Sequence, residues 1–74
     1  MREKDILFEI KDYVLSELRN ALDDPKDAML YRTMAFGAVF FASNHLFSTY
    51  NDELANWWEE NILPMFNTII RRGY

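Results

Sequence analysis

A chain of 74 residues without cysteine and with a net charge of −4 is long enough for one domain, residues 1–74, and excludes disulfides and thiolate metal sites. Its single histidine excludes a multi-histidine metal site within one chain, so we expect no metal and no cofactor. The acidic charge disfavours nucleic acid and anionic membranes as partners. Half of the residues are apolar, which predicts that some apolar surface of so small a domain is buried between chains.

The first residues show no signal-peptide pattern, because the charged segment 2–5 is followed by no unbroken apolar run. The longest stretch without a charged or polar side chain is the nine residues 34–42. This stretch is too short for a bilayer span, which needs about 17–25 residues. We therefore expect a cytoplasmic protein.

Residues 3–22 predict a first helix, because this segment lacks glycine and proline and repeats apolar residues at helical spacing. Its expected core face consists of Leu7, Ile10, Val14, Leu18 and Ala21. A second apolar row at seven-residue spacing, Phe8, Leu15 and Leu22, widens the apolar arc beyond half of the circumference. One neighbouring helix cannot cover so wide an apolar arc, so a second neighbour is needed to bury it. Phe8 and Leu15 are therefore candidate interface residues.

The acidic segment 23–27 predicts the turn after this helix. Pro25 suits the first position of a second helix, where its missing N–H group is not needed. That places Asp24 at the N-cap and Asp27 at the position that completes a capping box. Because the connection is short, the first two helices are expected to form an antiparallel hairpin.

Residues 25–49 predict a second helix in which Arg32 is the only charged residue after Asp27. One side of this helix is small, and its candidate close-packing residues are Ala35, Ala38 and Ala42, with Ala28 on the same side. The opposite side is large, and its candidate interface residues are Phe36, Phe40 and Phe47, with Met29 beside them. A helix that is apolar all round is normally enclosed by other helices. We therefore expect a buried central helix.

Gly37 lies in the middle of this second helix. Glycine in a helix interior costs about 0.5–1 kcal/mol relative to alanine. Close packing against a neighbouring backbone at Gly37 is the expected compensation.

Residues 52–71 predict a third helix that follows Asn51 as N-cap. Its expected core face consists of Leu54, Trp58, Ile62, Met65 and Ile69. Pro64 lies inside this pattern and removes one backbone hydrogen bond. Two outcomes are possible, a helix kinked at Pro64 or two helices broken near Leu63. The unbroken apolar register favours the kink.

Two aromatic side chains fall outside the predicted core faces. Trp57 lies among polar residues of the third helix and is a candidate interface anchor, because tryptophan is enriched at binding hot spots. The alternative is that the kink or the first helix covers it. His45 lies near the end of the second helix without a catalytic motif around it, which favours a structural role. We expect no enzyme.

These observations predict an all-α fold, a helical hairpin plus a third helix, assembled as a homodimeric helical bundle. The predicted function is a small non-catalytic interaction, regulatory or inhibitor protein that acts as a homo-oligomer, with an unidentified protein as a further candidate partner. One alternative is a purely structural oligomerisation unit. The other is a carrier or sensor of a small apolar ligand, and its expected pocket residues are Phe36, Phe40, Phe41, Trp58 and Phe66.

Overall fold

The computed structural model describes the backbone of residues 2–73 and the side chains of residues 2–72, and it is helical with no strand in that range. In chain order it contains α1 (Glu3–Asp23), a 3₁₀ turn (Pro25–Asp27), α2 (Ala28–Phe41), a π turn (Ala42–Leu46), α3 (Asn51–Trp57), a second π turn (Trp58–Ile62) and α4 (Leu63–Gly73). The all-α prediction is confirmed. Met1 and Tyr74, the two ends of the predicted domain, lie outside the described residues.

The hairpin forms, but its turn differs from the expected capping box. Asp24 leaves the helical conformation, with φ −137° and ψ 75°, and Pro25 then begins the 3₁₀ turn. The Asp24 carboxylate caps no backbone N–H group. Its Oδ2 instead accepts a hydrogen bond of 3.4 Å from the hydroxyl of Tyr31, one turn into α2. The Asp24 side chain therefore links the turn to the side of the second helix and does not cap its first residues.

The second helix ends at Leu46, three residues earlier than the predicted end at residue 49. Its last turn is a π turn, in which the amide of Phe47 donates to the carbonyl of Ala42 at 3.1 Å. Phe47 itself is extended, with φ −113° and ψ 140°. This change of direction turns the Phe47 ring into the core, where it is buried.

Residues 51–73 are helical on both sides of Pro64. The amide of Leu63 donates to the carbonyl of Trp58, which makes the turn before the proline a π turn. A proline has no N–H group, and its ring crowds the carbonyl four residues earlier. A wider turn accommodates one extra residue at this point. Asn51, the expected N-cap, is the first helical residue instead.

The core is built from one face of each helix and from Phe47. Its buried apolar residues are Leu7, Val14, Leu18, Ala21, Ala28, Ala35, Val39, Ala42, Phe47, Leu54, Trp58, Ile62, Phe66 and Ile69. Met65, expected on the core face, is half exposed, while Phe66 is fully buried. Ile69, also expected on the core face, is buried as expected.

One charged side chain lies within this core. Glu17 of α1 is buried, and its Oε2 has no hydrogen-bond partner in the described structure. Its Oε1 receives one long hydrogen bond, 3.4 Å, from the side-chain amide of Asn20. A buried polar atom without a partner costs about 1–3 kcal/mol. Glu17 therefore weakens the fold it belongs to.

Replacing Glu17 by an apolar side chain of similar length is expected to stabilise the chain. Glu17→Met should raise the free energy of unfolding by about 1–2 kcal/mol, because the unpartnered oxygen is removed and the volume is kept. Urea denaturation measures this change. Glu9→Met, at an exposed position of the same helix, is the matched control and should change stability little. A loss of stability in Glu17→Met would show that the Glu17 carboxylate has a favourable partner.

The start of α1 is linked to the loop after the second helix. The Glu3 carboxylate accepts hydrogen bonds from the backbone amide of Ser48 and from its hydroxyl, the latter at 2.9 Å. The backbone hydrogen bond first, and then the hydroxyl, lower the pKa of Glu3, because both favour the charged carboxylate. This contact brings the end of the second helix beside the start of α1, as an antiparallel hairpin requires.

The link between Glu3 and Ser48 is expected to depend on pH. The folded pKa of Glu3 lies below its ordinary value of 4.5, so the link is complete above that pH. It is lost as the pH falls through the lowered folded pKa, because a protonated carboxyl accepts less well. Amide NMR of Ser48 in an acid titration measures this change. Glu3→Gln should remove the titration, and a Ser48 amide that is unchanged from pH 7 to pH 2 would contradict the prediction.

Candidate interaction surfaces

A broad apolar surface lies on one side of α2, and we call it the outer face of α2. It consists of Met29, Leu30, Met34, Phe36, Phe40 and Phe41, which are between 44% and 58% exposed. At 100° per residue these six side chains span about 160° of the helix circumference. A large apolar side chain has roughly 200 Å² of surface. Six such side chains, each about half exposed, leave on the order of 600 Å² of apolar surface in contact with water. That is the upper end for a patch on a typical monomer.

The single chain does not enclose the second helix by itself. The small side of the helix faces inward, where Ala28, Ala35 and Ala42 are fully buried. Ala38, at the edge of this side, is half-buried. On the large side Phe36 contacts Trp58, but the six side chains of the outer face remain about half exposed.

Gly37 lies in the middle of the outer face. A Cβ atom built on it would meet nothing within 4 Å, so the expected close packing at Gly37 is not made within the chain. Beside it, the Thr33 hydroxyl donates to the carbonyl of Met29 at 2.9 Å, and the Asn44 amide donates to that of Phe40 at 2.8 Å. The Thr33 and Asn44 side chains thus have hydrogen-bond partners within their own helix, which lowers the cost of removing water from them.

The charged side chain nearest to the outer face is Arg32, which lies at its edge. Arg32 is the only Lys, Arg, Asp or Glu residue between positions 28 and 46. Its Nη1 donates to Oδ1 of Asn67 on α4 at 2.8 Å, and its Nη2 lies 3.4 Å from the sulfur of Met29. The guanidinium therefore lies at the edge of the outer face, between Asn67 of α4 and Met29.

The five residues of the expected ligand pocket do not enclose a cavity together. Trp58 and Phe66 are buried, and their ring centroids are 5.9 Å apart. Phe36 lies 5.7 Å from Trp58 and 6.0 Å from Phe40, so these rings form a row from the core to the surface. Beside Phe36 there is only a small cleft of about 270 Å³. Phe41 packs elsewhere, against His45 at 5.0 Å between ring centroids.

The remaining candidate interface residues lie in different environments. Trp57 is half-buried, and the Lys11 ammonium of α1 lies 5.3 Å from its ring centroid, in a cation–π contact. Among the described residues, Phe8 is the most exposed large apolar side chain, at 69%, and Leu15 is also exposed on α1. Phe47 is buried in the core and is not accessible at the surface of the single chain.

A second surface is a groove that the sequence analysis did not identify. It has a volume of about 680 Å³ and lies between the end of α1, the turn at Pro25 and Lys26, and α4. Its apolar lining consists of Leu18, Leu22, Pro25, Pro64, Met65 and Ile69. Leu22 belongs to the apolar row on α1, which was the available sequence signal. The opposite wall of the groove is formed by α4. Which α4 residues face the groove depends on the position of that helix after the second π turn, and the sequence pattern did not show this.

Comparison of the chain with protein-family models, with curated proteins and with solved structures finds no match. Among the described residues, no group of three or more His, Asp or Glu side chains is arranged to hold a metal ion. In the same part of the chain, no helix combines the length and apolar character needed to cross a membrane.

Gly37→Ala is expected to stabilise the isolated chain by about 0.5–1 kcal/mol, because alanine is the better helix former and its methyl group meets no neighbour. Urea denaturation at the lowest workable protein concentration measures this effect. A destabilising effect of Gly37→Ala would indicate that another chain occupies the space over Gly37. The free energy of unfolding would then depend on protein concentration.

Proposed function

We propose that this chain is a small non-catalytic protein that acts through protein–protein association, as a homodimer joined through the outer face of α2. The role is regulatory or inhibitory, and the location is cytoplasmic. The observation that supports the proposal most is the uncharged outer face of α2, with six large apolar side chains about half exposed.

A second copy of the chain fits this face for electrostatic reasons. Each copy has a net charge of −4, so most surfaces of two copies repel one another. The outer face of α2 has no Asp or Glu, and Arg32 lies only at its edge, between Asn67 and Met29. Two such faces can meet without bringing acidic side chains together, which suits a two-fold interface of identical patches.

The shape of the face also fits a helix from a second copy. Gly37 and Thr33 form a shallow strip along α2, with Phe36 and Phe40 on one side and Phe41 on the other. Glycine permits a close approach of backbones, so two α2 helices can cross at Gly37 with the phenylalanines packed on either side. A standard interface buries about 800 Å² on each partner, which the outer face approaches before its polar margins are counted.

Pairing through this face would supply the neighbours that the second helix lacks in the single chain. α2 would then be enclosed on both sides, in the centre of a helical bundle of two chains. Phe8, on α1 and outside the outer face, would remain exposed in the dimer and available to a different protein. A purely structural oligomerisation unit would use the outer face alone.

Phe40→Glu is expected to raise the dimer dissociation constant by about 100-fold or more, because each interface then contains two buried charges among apolar side chains. Sedimentation velocity at several protein concentrations measures this change. The far-UV circular dichroism spectrum should stay helical, since Phe40 is exposed in the single chain.

Phe8→Glu is the matched control, because it places the same charge at an exposed phenylalanine outside the outer face. It should leave the dimer intact. Gly37→Ala should weaken association while it stabilises the isolated chain, an opposite pair of effects that a general loss of folding cannot produce. A wild-type chain that sediments as a monomer at every concentration would refute the proposal, as would a dimer that Phe8→Glu disrupts and Phe40→Glu does not.

A further inference from the structure

The groove between α1 and α4 has an apolar body and a positively charged end. Leu18 and Ile69 are buried beneath it, while Leu22 and Met65 are 60% and 50% exposed at its sides. α3 contacts the end of the second helix, and Asn67 of α4 bonds Arg32 near the start of α2. The chain from residue 51 to residue 73 therefore runs back toward the turn at residues 25–27, which α4 contacts, and α4 ends beside that turn. Apolar contacts are thus available along the groove, and polar contacts are concentrated at one end.

The two charged residues that line the groove are both cations, Lys26 from the turn and Arg72 from the last turn of α4. The only other lining residue with a polar side chain is Thr68. Asp24 and Asp27 flank the turn in sequence but do not line the groove, and the Asp24 carboxylate is directed to Tyr31. In a chain of net charge −4, the lining of this groove thus contains two cations and no acidic side chain.

We infer that the groove binds an anionic amphiphile, a medium-chain carboxylate whose head group lies between Lys26 and Arg72. A guanidinium and an ammonium are the side chains that bind carboxylates most strongly. The alkyl chain then lies over Leu22, Met65 and Ile69, where it covers apolar surface that is otherwise exposed to water.

The dimensions of the groove agree with this ligand class. Its volume of about 680 Å³ lies within the roughly 300–1,000 Å³ of small-molecule sites. From Pro64 to Arg72 the α4 wall is about 12 Å long, at 1.5 Å per residue. A straight chain with one terminal charge matches a groove of that length with charge at one end. A neutral apolar ligand would leave both cations without a partner.

This site differs from the outer face of α2, since no residue of α2 lines the groove. The two proposals can therefore fail separately. A chain that binds the carboxylate as a monomer would refute the dimer alone, and a dimer that binds no carboxylate would refute the groove ligand alone.

The test is a titration of the chain with dodecanoate, below the concentration at which dodecanoate forms micelles, followed by methyl NMR. Signals of Ile69 and Met65 report on the groove, and Met34 reports on the outer face of α2. We expect the methyl chemical shifts of Ile69 and Met65 to change until binding saturates, while the methyl chemical shift of Met34 stays unchanged. Dodecyltrimethylammonium should bind at least about tenfold more weakly, and acetate should cause no shift.

Matched substitutions test both parts of the ligand. Arg72→Gln should weaken dodecanoate binding about tenfold, as loss of one charge-assisted contact predicts. Arg71→Gln, at the adjacent exposed residue outside the groove, should not. Leu22→Trp should fill the groove and block binding, whereas Leu15→Trp, two turns away on α1, should leave it unchanged. Lys26→Gln repeats the charge test in the turn, in case Arg72→Gln disturbs the helix.

Several results would overturn the inference. They are equal binding of the cationic and anionic probes, no effect of Arg72→Gln and Lys26→Gln, or shifts confined to Met34. Shifts of Ile69 on simple dilution of the protein would show that a second copy fills the groove. Co-sedimentation with anionic phospholipid vesicles, lost in Arg72→Gln and without dodecanoate binding, would assign these cations to a membrane surface instead.

Discussion

The close approach of the first two helices through alanine is the constraint on which the rest of the structure depends. Ala28, Ala35 and Ala42 are fully buried on the inner side of the second helix, where α1 lies along it. Small side chains allow helix axes to approach, because little separates the two backbones. Helical geometry then directs Phe36 and Phe40 to the opposite side. The exposed apolar surface is thus a direct consequence of how the core is packed.

The third helix contacts α2 through large side chains. Trp58 and Phe66 of the third helix are buried, with tilted rings 5.9 Å apart, and Phe36 of α2 lies 5.7 Å from the Trp58 ring. After the π turn before Pro64, Met65 is half exposed, while Phe66 and Ile69 are buried. The groove lies between the end of α1, the turn at Pro25 and Lys26, and α4.

The two candidate surfaces of this chain differ in chemistry. The outer face of α2 is broad and apolar, with Arg32 at its edge and Gly37 in its middle. The groove is lined by apolar side chains and by two cations, Lys26 and Arg72. We propose a second copy of the chain as the partner of the first surface and a small anion with an apolar tail as the ligand of the second.

The sequence by itself determined the all-α fold, the approximate bounds of each helix and the division of the second helix into a small and a large side. Periodicity is a local property, and it defines the angles between residues of one helix. Only the tertiary structure decided that the small side faces inward and that Phe47 enters the core. It also decided that Phe66, rather than Met65, fills the core after the second π turn. Those outcomes depend on contacts between residues far apart in the chain, and the pattern within a single helix holds no information about them.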